Sequence, residues 1–324
     1  MHIAITGAAG FLGSKLAKYL LDQGGLVGRS GQPEAITRIT MVDMVAPRGV
    51  QDPRIDTVVG DIADPDVIAA MVTPTTESIF HLAAVVSGHA EQDFDLGMKI
   101  NFDATRHILE KARAMGARPR FVFASSVAVF GGELPASVPD TMALMPQSSY
   151  GAQKAMGELL VNDYSRKGFI DGRVLRMPTV SVRPGAPNKA ASSFASGIIR
   201  EPLNGQAAVC PVGRDTRMWL MSPRQAVNNL VHGHNLDGAQ FGASRIVSLP
   251  GLSVTVREMV DALERVAGAE VAQRVKWNED EVVKRIVNSW PGDFEALRAK
   301  ALGFTADIDF ASVIRAHMQA EHES

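Results

Sequence analysis

The 324-residue chain is poor in cysteine, with Cys210 alone. A single thiol excludes an internal disulfide and a thiolate metal cluster built within one chain, so no metal site is expected and a reducing compartment fits. Aromatics are scarce too: three tyrosines and three tryptophans, so a tyrosine set among polar residues calls for a reason. Neither sign of charge is in surplus. Lysine and arginine number 33 against 35 acidic residues, a net charge of −2, and no summed field exists to hold nucleic acid or an anionic membrane surface. No apolar run approaches membrane-spanning length, and the N-terminus has neither a basic n-region nor a cleavage motif. The expectation is a cytoplasmic protein whose partner is a small molecule. Cys210 itself, in an apolar strand, reads as a small core residue.

What the chain does have is apolar content, 46%, enough for a sizeable core and more than one average domain. Strand-length bursts alternate with helical spacing: HIAIT, then the glycine turn GAAGFLG, then SKLAKYLLDQ; later ITRITMVD, DTVVGDI, ADPDVIAAMV and SIFHLAAVV. Alternation of this kind predicts an α/β fold, a doubly wound parallel Rossmann sheet. The segment DFDLGMKINFDATRHILEKARAMG predicts a helix capped by Gly116, followed by the strand RFVFASS and a helix starting near Ser148 or Ser149. GRVLRMPTV reads as one more strand. Beyond it the rhythm loosens into VRPGAPNKAASS, the helix FASGIIREPL and a strand around AAVCPV. The expected division is a nucleotide-binding domain over residues 1–178 and a smaller substrate-binding lobe over 179–324, with some segments returning to the first core. Residues 24–36 read as a small hairpin. NEDEVVKRIV reads as a solvated helix with its valines and isoleucine turned inward.

Gly7, Gly10 and Gly13 follow the first strand and open the first helix, the setting in which a turn takes a pyrophosphate. Glycine permits the sharp turn and close approach, and the helix N-terminus offers free N–H groups to anionic oxygens. Phe11 and Leu12 complete this turn. Asp43 ends the second long strand, where a carboxylate accepts from ribose hydroxyls and repels a 2′-phosphate, favouring NAD over NADP, with Arg48 nearby as a counterweight. Asp61 follows the next strand, placed to meet an adenine amino group under Ile62 or to cap the helix after it.

Tyr150 and Lys154 lie four apart on a helix and therefore on one face. A phenol with a pKa of about 10 is a poor base at neutral pH, and a nearby ammonium favours phenolate. Ser126, with Ser125 as its competitor, ends an intervening strand and supplies a hydroxyl to orient an alcohol. His232 and His234 are two apart on a helix, diverge, and read as solvated rather than as a metal pair.

Together TGAAGFLG, HLAA, SSVAVFG and SYGAQK resemble the extended short-chain dehydrogenase/reductase family, which includes the NAD-dependent epimerases and dehydratases. The resemblance implies Gly7, Gly10 and Gly13 at pyrophosphate, Asp43 at ribose, Leu82, Ala83 and Ala84 beside the cofactor, Asn101 in the central helix, and Ser126, Tyr150 and Lys154 as the catalytic set. Phe130 stands where the family frequently has tyrosine. The stretches GGLVGRSGQPEAITRITMVDMVAP and LRMPTVSVRPGAPNKAASSFASGIIREPLNG resemble the bacterial D-erythronate dehydrogenases, a family that oxidises a four-carbon sugar acid at C2 with NAD. That implies a sugar-acid substrate and a possible homodimer. Arg183 and Arg217 are then the candidates to hold the carboxylate, with Asn188 and Ser192 at hydroxyls, Trp219 as an apolar wall, and Thr179 and Val180 beside the nicotinamide. An NDP-sugar 4-epimerase would use the same catalytic residues and is the alternative.

Overall fold

The computed structural model describes residues 1–116, 118–185 and 189–322. Its strands in chain order are β1 (His2–Thr6), β2 (Gly25–Val27), β3 (Pro33–Ala35), β4 (Arg38–Asp43), β5 (Ile55–Val59), β6 (Thr76–His81), β7 (Arg120–Ser126), β8 (Asp171–Met177), β9 (Thr179–Val180), β10 (Ala208–Cys210), β11 (Arg217–Met221), β12 (Ile246–Ser248), β13 (Leu252–Thr255) and β14 (Val275–Trp277). Seven of them form one sheet in the order β12-β8-β7-β6-β1-β4-β5, with every neighbouring pair parallel. The chain winds outward from β1 to β5, returns to β6 and winds the other way. The strand order therefore switches between β1 and β6, and a crevice opens there at the carboxyl ends.

The longer helices are α1 (Phe11–Gln23), α2 (Pro65–Met71), α3 (Ala104–Met115), α4 (Ser149–Arg166), α5 (Phe194–Leu203), α6 (Pro223–Asn235), α7 (Val256–Ala267), α8 (Glu281–Asn288) and α9 (Phe310–His322). Helix α1 ends where Gly24 turns left-handed, and α3 ends likewise at Gly116 (φ 61°), as its sequence predicts. Ser148 caps α4 by accepting from the Gly151 N–H at 3.2 Å. The helix expected before α3 holds, but residues Met98–Asp103 form a π turn within it.

Two apolar clusters pack against the faces of the sheet, one around Ile3, Ile5, Leu16, Phe80 and Leu230, the other around Ile79, Ile108, Phe121 and Phe123. Each such fully buried side chain contributes about 1.5–3 kcal/mol. A third cluster, with Val182, Phe194, Ile198, Met259 and Ile314, forms under the segments after residue 180 and includes the buried Cys210. Those segments carry three-stranded β13-β11-β9 and two-stranded β10-β14 sheets, while β12 returns to the edge of the main sheet beside β8.

Several local expectations change. GRVLRMPTV is two strands: Pro178 lies between β8 and β9, and Thr179–Val180 pairs with β11 instead of continuing the main sheet. SIFHLAAVV stops being a strand after His81, because the Leu82 and Ala83 N–H groups turn to the Thr6 hydroxyl, each at 3.1 Å. His234 is not solvated. It is fully buried, 2.7 Å from Ser78 Oγ and stacked on Phe80, while His232 meets the Leu302 carbonyl at 2.8 Å. Val282 of α8 points outward, against expectation, and Val287 inward. Residues 24–36 do form the hairpin β2-β3, held by Asn235 on α6 and by Arg120, the first residue of β7. The hairpin thus lies by the amino end of β7, opposite to the crevice. Among the described residues, no helix is long and apolar enough to cross a membrane.

Candidate active site

The glycine turn sits at the carboxyl end of β1. Gly7 has φ +70°, and a Cβ there would lie 2.8 Å from the Ala83 nitrogen, so only glycine lets this turn meet the segment after β6. A Cβ on Gly13 would lie 2.3 Å from the Gly7 carbonyl oxygen, which makes its absence the condition for seating α1 on the turn. Gly10 precedes the first residue of α1 without a side-chain cap, leaving the helix N-terminus with backbone donors. Asp43 reaches this turn, where its Oδ2 accepts from the Ala9 N–H at 2.9 Å.

A cavity of about 350 Å³ extends from here, lined by Gly7, Asp43, Asp61, Ile62, Ala83 and Ala84. Asp61 accepts from the Ala63 N–H at 2.9 Å and from the Lys99 ammonium at 2.7 Å, and its carboxyl stands below the usual range because those bonds outweigh the opposing effect of burial. Asp64, not Asp61, caps α2. These residues fit a nucleotide: a cradle that any Cβ would fill, a helix N-terminus, and carboxylates for hydroxyl and amino groups.

A second cavity, of about 210 Å³, lies over the carboxyl ends of β7 and β8 and holds Ser126, Tyr150, Lys154, Arg183 and Ser192, with Phe11, Leu12, Leu82, Thr179 and Val180 in its walls. Burial pushes the Tyr150 phenol up to about 12, opposed by the Arg183 guanidinium and by the nearby Ser126 hydroxyl. Sequence reasoning assigned that opposing charge to Lys154. Instead, the Lys154 ammonium donates to the Ala124 carbonyl at 2.9 Å and stands 5.8 Å from the Tyr150 ring centroid and 4.6 Å from that of Phe123. Burial lowers Lys154 to about 8, with Glu158 opposing. Ser126 also accepts from the Ala128 N–H at 3.1 Å, whereas its competitor Ser125 donates to Glu158, so Ser126 is the serine that meets Tyr150.

Arg183 is fixed by donating to the Val180 carbonyl at 2.8 Å and to Ser192 Oγ at 2.9 Å. A guanidinium so held, facing a phenol in a small cavity, suits a carboxylate next to an alcohol. Arg217 does not join it. It lies at the start of β11, three residues from Leu220, the first β11 residue to pair with β9, hence roughly 10 Å along the strand. Arg217 lines a separate open cavity of about 710 Å³ with Arg214, Arg257 and Trp277, bordered by Trp290, which also faces the Tyr150 cavity. Trp219 is no wall either, being buried against Phe294 with its indole donating to the Leu249 carbonyl. Asn101 lines neither the nucleotide cavity nor the Tyr150 cavity: its side chain bonds both backbone groups of Val85 and the Gln153 side chain, tying the segment after β6 to α4. Asn188 lies outside the described residues. Two residues escaped sequence reasoning. Trp290, whose buried indole N–H has no hydrogen-bond partner among the described residues, follows α8 without any motif; Glu158 was legible as the next same-face position after Tyr150 and Lys154.

The profile of the NAD dependent epimerase/dehydratase family matches residues 3–223, more than half of the chain and both halves of this site. The chain belongs to the NAD dependent epimerase/dehydratase family. Two relatives are named D-erythronate dehydrogenase: one from Cupriavidus necator, 58% identical over 98% of each chain, and one from Haemophilus influenzae, 47% identical over 97% of this chain and 98% of that one. Among solved structures, one described as a nucleoside-diphosphate-sugar epimerase from Agrobacterium tumefaciens superposes with a TM-score of 0.92 at 44% identity, covering 100% of this chain and 95% of that chain. A structure described as a GalE-like L-threonine dehydrogenase from Cupriavidus necator shares the fold, with a TM-score of 0.86 over 99% of each chain, at 22% identity. The family resemblance and the Rossmann architecture read from the sequence are thus borne out.

Proposed function

We propose that the protein is an NAD-dependent sugar-acid dehydrogenase that oxidises D-erythronate at C2 to 2-dehydro-D-erythronate. The observation that carries this reading is a small cavity in which a phenol beside Ser126 faces the fixed guanidinium of Arg183. The names of the two relatives, matched over nearly their whole length, support the choice of acid.

In this reading Gly7, Gly10 and Gly13 would hold the pyrophosphate of NAD, Asp43 a ribose, Asp61 and Ile62 the adenine, and Thr179 and Val180 the nicotinamide. The bound cofactor supplies the carbon that accepts a hydride from the alcohol carbon. Tyr150 takes the proton of the C2 hydroxyl, and Ser126 holds that oxygen as it gains carbonyl character. Arg183 with Ser192 grips the carboxylate and so sets which carbon faces the cofactor. Leu12, Leu82 and Val180 keep water from the reacting carbon. Residues 1–178 then chiefly serve the cofactor, and residues 179–324 chiefly close over the acid.

The test is formation of reduced nicotinamide from NAD and D-erythronate, read by absorbance against a panel of four- and five-carbon aldonic acids. Tyr150→Phe should lower turnover by about a thousandfold or more with NAD affinity within about twofold, because only the proton acceptor is removed. Comparable turnover in that variant would refute the assignment. The name of the Agrobacterium structure and the neighbouring arginine-lined cavity favour a second reading, an NDP-sugar 4-epimerase. Turnover of UDP-sugars without accumulation of NADH would establish it.

A further inference from the structure

Glu158 takes no part in the steps above and lines neither the nucleotide cavity nor the Tyr150 cavity, yet it is fully buried and accepts four charge-assisted hydrogen bonds. Arg176 on β8 donates through Nε at 2.9 and 3.1 Å and through Nη2 at 2.7 Å, and the Ser125 hydroxyl donates at 2.5 Å. The guanidinium also lies 4.8 Å from the centre of the Phe130 ring. Burying an ion pair costs so much desolvation that a well-packed apolar pair of similar volume is often at least as stable, so stability alone does not account for this one.

Its placement does. Tyr150, Lys154 and Glu158 occupy successive turns of one face of α4. Each meets a consecutive part of the end of β7: Tyr150 meets Ser126, Lys154 meets the Ala124 carbonyl, and Glu158 meets Ser125 between them. We propose that Glu158 is a positioning residue of the catalytic centre: anchored by Arg176, its carboxylate clamps Ser125 and registers α4 against β7, so that Tyr150 and Lys154 meet the end of that strand in their places. The proposal rests on the dehydrogenase reading for what Tyr150 and Ser126 do, but the clamp is independent of which alcohol is oxidised.

The groups that face Lys154 are few. Among the described residues Tyr150 and Glu158 come from its own helix and His81 from β6, while Arg176 on β8 pairs with Glu158 and Arg183 acts on Tyr150 from the loop after β9. Glu158 is the anion among them. Burial already brings Lys154 to about 8, so loss of the Glu158 charge moves its deprotonation toward neutral pH.

The test compares wild type with Glu158→Gln, Glu158→Asp and the double variant Glu158→Leu/Arg176→Leu, each checked for folding by circular dichroism. In Glu158→Gln, turnover of D-erythronate should fall about tenfold or more, KM for the acid should stay within about twofold, and the alkaline limb of kcat should move down by about one pH unit. Glu158→Asp, which keeps the charge, should keep the limb near its wild-type position. The double variant, which leaves no Arg176 guanidinium without its partner, should fold and still show the displaced limb. If the Gln variant fails to fold, the double variant carries the test. Because Lys154 lines the cavity together with Thr179 and Val180, its charge acts on the nicotinamide half of NAD, and the pH dependence of NAD affinity, read by tryptophan fluorescence, repeats the measurement without the acid. A wild type that never reduces NAD with sugar acids, but whose NAD affinity shows the Glu158-dependent limb, refutes the substrate and keeps the clamp. A limb unchanged in both Glu158→Gln and the double variant overturns the clamp.

Discussion

Acidification should loosen this protein through its buried histidines, and one of them reaches the cofactor cradle. His81 is fully buried between Thr6 Oγ1 at 2.7 Å from Nδ1 and Thr105 Oγ1 at 2.9 Å from Nε2. Thr6 already accepts from the Leu82 and Ala83 N–H groups, so its own proton goes to Nδ1. Nε2 then carries the imidazole proton and donates to Thr105, which donates to the Asn101 carbonyl. Every link is directed, and a second proton on the ring has no acceptor. Burial holds His81 and His234 at about 3, against 6.5 when free. Folded-state values below unfolded ones mean that the unfolded chain binds more protons between those limits, so stability is full above 6.5 and falls as pH drops toward 3. At about pH 5, some 1.5 units below the free value, each histidine costs about 2 kcal/mol and the two together about 4 kcal/mol, a large part of a typical folding free energy. Urea denaturation at about pH 7.5 and pH 5 should differ in midpoint by roughly 1 M. His81→Gln should remove about a third of that difference, since His2, which burial holds at about 4, contributes beside His81 and His234. Equal midpoints at the two pH values, or an undiminished drop in a His81→Gln/His234→Gln variant, would refute the reasoning.

Gly13→Ala places a Cβ 2.3 Å from the Gly7 carbonyl oxygen and 2.7 Å from Ala8 Cα, so α1 must back away from the turn. NAD affinity by titration calorimetry should fall about tenfold or more, and stability by about 1–3 kcal/mol. Asp43→Asn removes the carboxylate charge while keeping an acceptor for Ala9; the ratio of NAD to NADP affinity should fall by about tenfold, and an unchanged ratio would remove Asp43 from the ribose. Arg183→Gln should raise KM for D-erythronate by about tenfold or more, as expected for loss of a charged partner, while Arg217→Ala should leave it within about twofold. The reverse ranking would move the acid to the other cavity.

How far this was legible can be judged residue by residue. The glycine turn, Asp43 and the Tyr150, Lys154 pair were readable because each depends on a spacing within one element or on the end of one strand. Arg217 and Trp219 were misplaced for the opposite reason: their roles depend on which end of β11 meets β9, and no local pattern encodes that pairing. The misreading of His234 has the same origin, since its helix shows polar spacing while Ser78 and Phe80, far off in the chain, supply its partner and its stacking face.

Local patterning and side-chain type determined that the chain alternates strand and helix, turns on glycines into α1 and carries its phenol and ammonium on one helical face, because these follow from periods of two and 3.6 residues and from backbone sterics alone. Tertiary structure decided which cation faces Tyr150, which serine meets it and what anchors Lys154. Arg183, Ser126 and Glu158 are set by burial and by contacts between distant segments, and in the interior those contacts, rather than the residue types, fix where charge and protons reside.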